Sequence, residues 1–363
     1  MKASKNSFKV AIVYDRVNKW GGAERVLLTL HEMFPQAPLY TSVYDSKMAS
    51  WAKFFPKVYT SFLQKIPFAK SNHELLPFLM PIAFESFNFD SYDLVISVTS
   101  EAALGIITSP KTLHICYCLT PTRYLWSGYK EYFRSNLFKT ITKPIVRYLR
   151  NWNQIAANRP DIMIAISTEV KDRIKNYYKI DSEIIFPPFQ SLSSPTHKDD
   201  KGYYLIVSRL VTYKKVDLAI KVFNKLNLPL YIVGSGREER KLKKMANKNI
   251  KFFGQVSDER LSDFYKYAKA IIMPQEEEYG IVSVEAQSLG TPVIAYEKGG
   301  ASDTVISGVT GILFKDQSVE SLTAAIEKFV KMGFNDKLLV NNAKRFTKEV
   351  FKKKLFRTIR NNV

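Results

Sequence analysis

The chain has 363 residues, of which 54 are Lys or Arg and 34 Asp or Glu, a formal net charge of +20. That length is more than one hydrophobic core comfortably fills and suits two α/β domains. The basic excess predicts anionic partners (acidic lipid or phosphorylated substrates), and nucleic acid ranks below them because no zinc-finger spacing or aromatic RNA-binding signature accompanies the charge. The two cysteines, Cys116 and Cys118, are two apart on a predicted strand. They share a face and do not bridge easily, which points to a reducing compartment. Met1 to Ser7 has no apolar leader and no window reaches membrane-spanning length. The expected location is therefore the cytoplasm.

In chain order, Phe8 to Asp15 reads as a first parallel strand. It is followed by the double glycine Gly21-Gly22 and a helix with apolar Val26, Leu27, Leu30 and Phe34. Such a loop lets backbone amides face a ligand, although a plain tight turn has the same composition. No Gly-x-Gly-x-x-Gly occurs there, which argues against a dinucleotide site. Leu75 to Phe84 is the most apolar stretch, broken by two prolines, and reads as a core-lining connection in preference to a membrane-dipping loop. Asp93 to Thr99 and Leu113 to Cys118 are strand candidates. His114, Cys116 and Cys118 alternate on one face, where packing is favoured over a metal site.

Between Trp126 and Arg159, aromatics (Trp126, Tyr129, Tyr132, Phe133, Tyr148, Trp152) alternate with bases (Lys139, Lys143, Arg147, Arg150). The pattern fits a membrane interface or a solvated basic face on an aromatic-packed helix, and the net charge favours the membrane. Ile162 to Ser167 and Glu183 to Pro188 complete the first domain. A serine- and proline-rich segment from Phe189 to Asp200 reads as the hinge. Short apolar strands then recur at Tyr203–Ser208, Leu230–Val233, Ile250–Phe253, Ala270–Met273 and Val293–Tyr296, each followed by a helical pattern, so the second domain is also doubly wound. The basic end, Asn335 to Val363, reads as helical, with Phe346, Val350, Leu355 and Ile359 on its buried side.

Two places carry chemistry. Arg209 and Lys214 follow the first strand of the second domain and precede a helix, a cation pair suited to a diphosphate. After the strand ending at Met273 comes an acidic loop with Glu277 and Gly280, then a helix carrying Glu285 and stopped by Gly290. Two carboxylates so placed can grip two sets of hydroxyls, such as those of a sugar ring and a ribose. Acidic residues also simply favour the start of a helix dipole.

Glu277, Gly280, Glu285, Ala286, Gly290, Pro292, Val293, Ile294 and Ala295 together resemble the Glu-x7-Glu signature of the family 4 retaining glycosyltransferases. Ser208-Arg209-Leu210-Val211 with Lys214, Val216, Asp217, Leu218 and Ala219 resembles that family's phosphate-binding motif. The turn at Gly234 and Gly236, the segment around Val256, the loop Gly299-Gly300 and Gly21-Gly22 follow in family order over nearly the whole chain. His114 to Trp126 and Tyr40 to Asp45 are similar to the mannosyltransferase-like subgroup of bacterial surface-polysaccharide synthesis.

The resemblance implies a GT-B architecture, two Rossmann-like doubly wound domains facing across a cleft. The expected boundaries are 1–188 for the acceptor-side domain, 189–202 for the linker, 203–345 for the nucleotide-sugar domain, and 346–363 for a helix crossing back. It implies a retaining hexosyltransferase moving mannose or a 6-deoxyhexose from a nucleoside-diphosphate sugar, GDP-sugar favoured, to a glycan or polyprenyl-linked acceptor. Arg209, Lys214 and Glu277 would be catalytic. Gly21, Gly22, Gly234, Val256, Tyr279, Gly280, Ile281, Val282 and Glu285 would bind the donor. No cofactor or metal is expected, since a cation clamp can replace a metal and no Asp-x-Asp occurs. The expected site of work is the inner face of an anionic membrane. One departure concerns the sugar: Leu119 stands where relatives commonly carry a histidine that contacts the donor sugar near its sixth carbon. The alternatives are a catalytically silent nucleotide-sugar-binding protein and a GT-B sugar-nucleotide 2-epimerase.

Overall fold

A computed structural model describes residues 8–68, 70, 76–132, 136–189 and 202–363. The chain divides into two compact units, Met1–Pro187 with Lys352–Val363, and Pro188–Phe351. Most of the expected hinge, residues 190–201, lies outside the described residues.

The first unit is built on seven parallel strands: β1 (Val10–Tyr14), β2 (Leu39–Thr41), β3 (Val58–Thr60), β4 (Leu94–Thr99), β5 (Leu113–Cys118), β6 (Ile162–Ala165) and β7 (Glu183–Ile184). Their order across the sheet is β3-β2-β1-β4-β5-β6-β7. β1 and β4 are apolar and buried from end to end, as strands covered on both faces must be. The chain lays strands outward from β1 in one direction, then starts again at β4 on the other side. That reversal leaves a crevice at the carboxyl ends of β1 and β4. β2 and β3, three residues each, escaped the sequence reading because so short a run shows no period.

Asp15, directly after β1, ties the two sides of this reversal together. It is 1% exposed, and its carboxylate accepts from Thr99 Oγ1 at 2.9 Å and from the amides of Ser100, Ala102 and Ala103 at 2.6, 2.9 and 2.9 Å. The turn after β4 has no regular ladder, so this carboxylate satisfies amides that would otherwise be buried unpaired.

Leu75 lies outside the described residues. The rest of its apolar stretch forms a 3₁₀ turn, Pro77–Leu79, and a helix, Met80–Glu85, which sends Met80, Ala83 and Phe84 into the core. The basic aromatic stretch forms the helix Asn136–Ala156 with Pro144 inside it, while Phe133 lies outside the described residues. The last helix, Lys348–Arg360, buries Phe351, Leu355 and Ile359. Val350, expected in that row, is only half-buried, because Phe351 takes the inward position. From Lys352 onward this helix belongs to the first unit. Lys352 pairs with Glu32 at 2.8 Å, Thr358 donates to Glu183 at 2.9 Å, and the Phe356 ring lies 5.9 Å from that of Phe34.

The second unit repeats the same logic with β8 (Tyr203–Val207), β9 (Leu230–Val233), β10 (Ile250–Gly254), β11 (Ala268–Met273), β12 (Val293–Tyr296) and β13 (Gly311–Phe314). All pairs are parallel, in the order β10-β9-β8-β11-β12-β13. The reversal here falls between β8 and β11. Apolar layers cover both faces, one centred on Tyr204, Phe223 and Ile272, the other on Tyr203, Tyr265 and Ala286.

His114 and both cysteines are packed in the core. Cys116 and Cys118 are free and buried, and burial pushes the Cys116 thiol up to about 12. Among the described residues no group of three or more His, Cys, Asp or Glu is arranged to hold a metal ion. The His114 ring is fully buried, with Nε2 2.8 Å from Ser97 Oγ. Burial, reinforced by the Arg159 charge, lowers its pKa from 6.5 to about 3, so the folded protein keeps the ring neutral. Between those two values the unfolded chain takes up a proton that the folded chain refuses, and stability therefore falls as pH drops through that window. Urea unfolding from pH 7 to pH 4 should show this loss. A His114→Gln variant, less stable at pH 7, should show a shallower decline.

Candidate functional site

The loops leaving β8 and β11, on the two sides of the reversal in the second sheet, bring the expected residues together. After β8 the chain makes a turn, Thr212–Lys214, and enters the helix Val216–Leu226. After β11 it passes through Pro274–Gly280 into the helix Ile281–Ser288. Lys214 Nζ and Glu277 Oε1 form an ion pair, with side chains 10% and 18% exposed. Gln275 Nε2 donates to the same Glu277 oxygen at 2.8 Å. Arg209 is exposed, and its Nη2 donates to Tyr213 OH at 2.6 Å. The unit thus presents one exposed guanidinium and one buried ammonium.

Close backbone contacts set this geometry. Glu277 and Gly299 form a parallel bridge, and the Gly300 amide donates to the Glu277 carbonyl at 2.7 Å. A Cβ on Gly299 would lie 2.1 Å from that carbonyl oxygen, and one on Gly300 2.2 Å from the Tyr279 carbonyl oxygen. Glycine is therefore required here by the approach of the Glu277 loop, whatever a ligand asks of it. Gly234, after β9, does the same for the other loop. A Cβ there would meet Ser208 O at 2.0 Å, and Leu210 N donates to Ser235 O at 2.9 Å, which fixes the chain on both sides of Arg209.

Gly280 is the N-cap of the helix Ile281–Ser288, with φ 80°. The amides opening this helix lie among the orphan donors of a helix start, where the dipole favours an anion. Ile281 and Val282 are half-buried at that first turn. Tyr279 is buried, its ring 6.1 Å from Phe346, and burial raises its phenol well above the ordinary value. Glu285 lies deeper, 3% exposed, with Oε2 accepting from Tyr265 OH at 2.7 Å. Val256 is half-buried against the β8–β11 face of the core. Lys215, directly after Lys214, has φ 52° and ψ 29°, the left-handed conformation that a glycine adopts at no cost.

In the first unit, Gly21 and Gly22 are exposed and precede the helix Ala23–Met33, and Trp51 Nε1 pins the loop by donating to Lys19 O at 3.0 Å. Glu24, 2% exposed, sits beneath them, and a Cβ on Gly21 would lie 3.2 Å from its Oε2. Burial raises the Glu24 carboxyl, offset in part by hydrogen bonds from the backbone of Glu24 and Gly21 and from Tyr14. Leu119 is half-buried directly after β5, with its amide on Thr99 O at 2.7 Å.

Glu24, Tyr213, Tyr265 and Gln275 were not singled out in the sequence. Tyr265 meets Glu285 although they lie 20 positions apart in the chain, so no local pattern could join them. Glu24 was legible in principle, as a carboxylate in the first turn of an otherwise apolar helix face.

Comparison with known proteins identifies relatives of this chain. Residues 189–348 match the family of glycosyl transferases group 1. The match spans nearly the whole second unit and includes every second-unit residue named above. The chain is 25% identical over 214 residues to an uncharacterized glycosyltransferase of Methanocaldococcus jannaschii, covering 55% of this chain and 58% of that one. It is 35% identical over 132 residues to a GDP-mannose-dependent monoacylated alpha-(1-6)-phosphatidylinositol monomannoside mannosyltransferase of Corynebacterium glutamicum, covering 32% and 34%. The chain spans roughly half the length of the curated relatives it matches. Among solved structures it superposes on Anabaena HepE, crystallised with UDP, with a TM-score of 0.68 at 17% identity over 98% of this chain and 100% of that one. The fold is GT-B, two Rossmann-like α/β domains.

In this GT-B frame the glycine contacts make a sharp prediction. Gly300→Ala forces a methyl group onto the Tyr279 backbone and must move the Glu277 loop. A loss of about 1–3 kcal/mol is expected from overpacking. Urea unfolding checks the stability.

Proposed function

We propose that this protein is a retaining glycosyltransferase. It moves a hexose from a nucleoside-diphosphate sugar to a glycan or polyprenyl-linked hydroxyl at the inner face of a membrane. The observation that carries the reading is the convergence of Arg209, Lys214, Glu277 and the start of the helix Ile281–Ser288 at one sheet reversal. An exposed guanidinium, an ammonium and a helix start make a diphosphate cradle with no metal required.

In the ligand-free pair, Glu277 holds the Lys214 charge in place at little reorganisation cost. When a donor binds, its diphosphate competes for Lys214, and the Glu277 carboxylate is released to accept hydrogen bonds from sugar hydroxyls. As the bond between the anomeric carbon and the diphosphate oxygen breaks, Arg209, Lys214 and the Gly280 and Ile281 amides stabilise the departing charge. The acceptor oxygen then bonds to the same face of that carbon, and its proton passes to the leaving phosphate oxygen. Glu285, within that helix and bonded to Tyr265, anchors the ribose side. A GDP-sugar is the favoured donor, supported by the GDP-mannose dependence of the Corynebacterium relative and by the subgroup that the sequence resembles.

A screen of nucleotides and nucleotide sugars by thermal shift, followed by product analysis with and without acceptor, tests the reading. A ligand at 100 times its Kd adds about 2.7 kcal/mol to stability. Binding without any turnover would indicate a silent binding protein, and an epimerised donor without acceptor would indicate the epimerase alternative. Arg209→Ala and Lys214→Ala should each lower turnover by roughly 10²–10³, as for loss of one preorganised charge-stabilising donor. Near-normal rates in both variants would remove the diphosphate assignment.

Leu119 supports a second claim, about the sugar. A pocket that hydrogen-bonds a hydroxyl rejects an analogue lacking it by about 10⁴–10⁵, and leucine offers no such partner. The proposed donor set therefore includes 6-deoxyhexose nucleotides beside GDP-mannose. Competing GDP-mannose against GDP-fucose or GDP-rhamnose should show little preference in the wild type and a gain for mannose in Leu119→His. A strong wild-type preference for mannose, unchanged by the substitution, would refute it.

A further inference from the structure

The Glu277 carboxylate is held through one oxygen only. Lys214 Nζ and Gln275 Nε2 both donate to Oε1, the latter at 2.8 Å, and Oε2 accepts from none of the described residues. An ionised carboxylate only accepts, so the amide of Gln275 must turn its NH2 toward it. Gln275 is 5% exposed, which leaves little room for water to replace that donor. The proposed transfer uses Lys214 and Glu277 and assigns no part to Gln275.

The backbone that carries Gln275 is pinned on both sides. Gln317, in the turn between β13 and the helix Val319–Val330, donates through Nε2 to the Pro274 carbonyl at 2.8 Å. The Gly300 amide closes the other end on the Glu277 carbonyl at 2.7 Å. The direction of the carboxylate is therefore set by its side-chain donors, and these differ in kind. Lys214 is a point charge on a flexible stem, and an anionic ligand draws it away. The Gln275 amide is neutral and planar, so a diphosphate competes for it far less than for an ammonium.

We infer that Gln275 is a positioning residue of the proposed donor site. It keeps Glu277 Oε1 occupied when the diphosphate takes Lys214, and so leaves Oε2 to accept from the sugar hydroxyls. Without it, a donor-bound Glu277 would lose its ion-pair partner with nothing left to orient it, and fixing one rotamer would then cost conformational entropy. The inference rests on the transferase reading and deepens it, by separating recognition of the sugar from recognition of the diphosphate.

The test compares GDP with GDP-mannose, and UDP with UDP-glucose, as ligands of the full chain. Gln275→Met keeps the side-chain volume and removes the donor. It should weaken the sugar-bearing member of the pair by about 10–100-fold, the scale of one lost hydrogen bond to a charged group, and leave the bare diphosphate unchanged. Gln275→Asn, which keeps a buried amide but withdraws it by one methylene, should show the same selective loss. In a Glu277→Ala background the change to Met should cost nothing further, because the amide acts only through that carboxylate. Equal losses on both ligands would mark a prop for the loop and overturn the inference. So would an unchanged affinity for the sugar-bearing ligand, or an additive loss in the Glu277→Ala background. A wild type that binds neither pair is a different outcome, which refutes the transferase reading itself and the inference with it.

Discussion

The ion pair between Lys214 and Glu277 joins the two loops that leave the second sheet at its reversal. Removing either partner would strand a charge in a poorly hydrated place, at about 3–5 kcal/mol for a fully buried pair and less here, where both side chains keep some exposure. The pair matters more for placement than for stability. It holds an ammonium and a carboxylate together where the loops after β8 and β11 meet. The supports beneath it are rigid: Gly299 and Gly300 packed onto the Glu277 loop, Gly234 packed onto the Arg209 loop, and Tyr265 bonded to Glu285. The loop backbones are thus held by contacts that do not involve the Lys214 and Glu277 side chains.

The first unit uses the same sheet logic with a different fastening. Asp15 gathers the amides of the turn after β4 and ties them to the end of β1. Gly21, Gly22 and Leu119 all lie at the carboxyl ends of strands around this reversal, which is where open α/β sheets place ligands. The buried Glu24 beneath the glycine pair gives that loop a polar floor. The helix Asn136–Ala156 carries Lys139, Lys143, Arg147 and Arg150 on one shoulder and exposed Ile141, Ile145, Tyr148 and Ile155 on the other.

Much of this was legible because each unit is repetitive. A buried parallel strand is a short apolar run, and the residues that follow it lie at the carboxyl edge, so the order strand, loop, helix already located Arg209, Lys214, Glu277 and Gly280. The strands β2, β3 and β13, of three or four residues, were not legible, since their pairing comes from neighbours already in the sheet. The position of Phe351 in place of Val350 was likewise decided by what the last helix packs against.

By itself, the sequence determined the α/β class, the two-part division near residue 190, and which loops carry cations, carboxylates and glycines. These follow from hydrophobic runs and turn residues, which act over a few positions. Only the tertiary structure decided that Lys214 meets Glu277 across 63 residues, that Tyr265 bonds Glu285, and that the glycines serve backbone contact. It also decided that His114 and the cysteines are core residues. Contacts between distant segments depend on strand order, and strand order is fixed by how both faces of a sheet are covered, a property that no local window of residues contains.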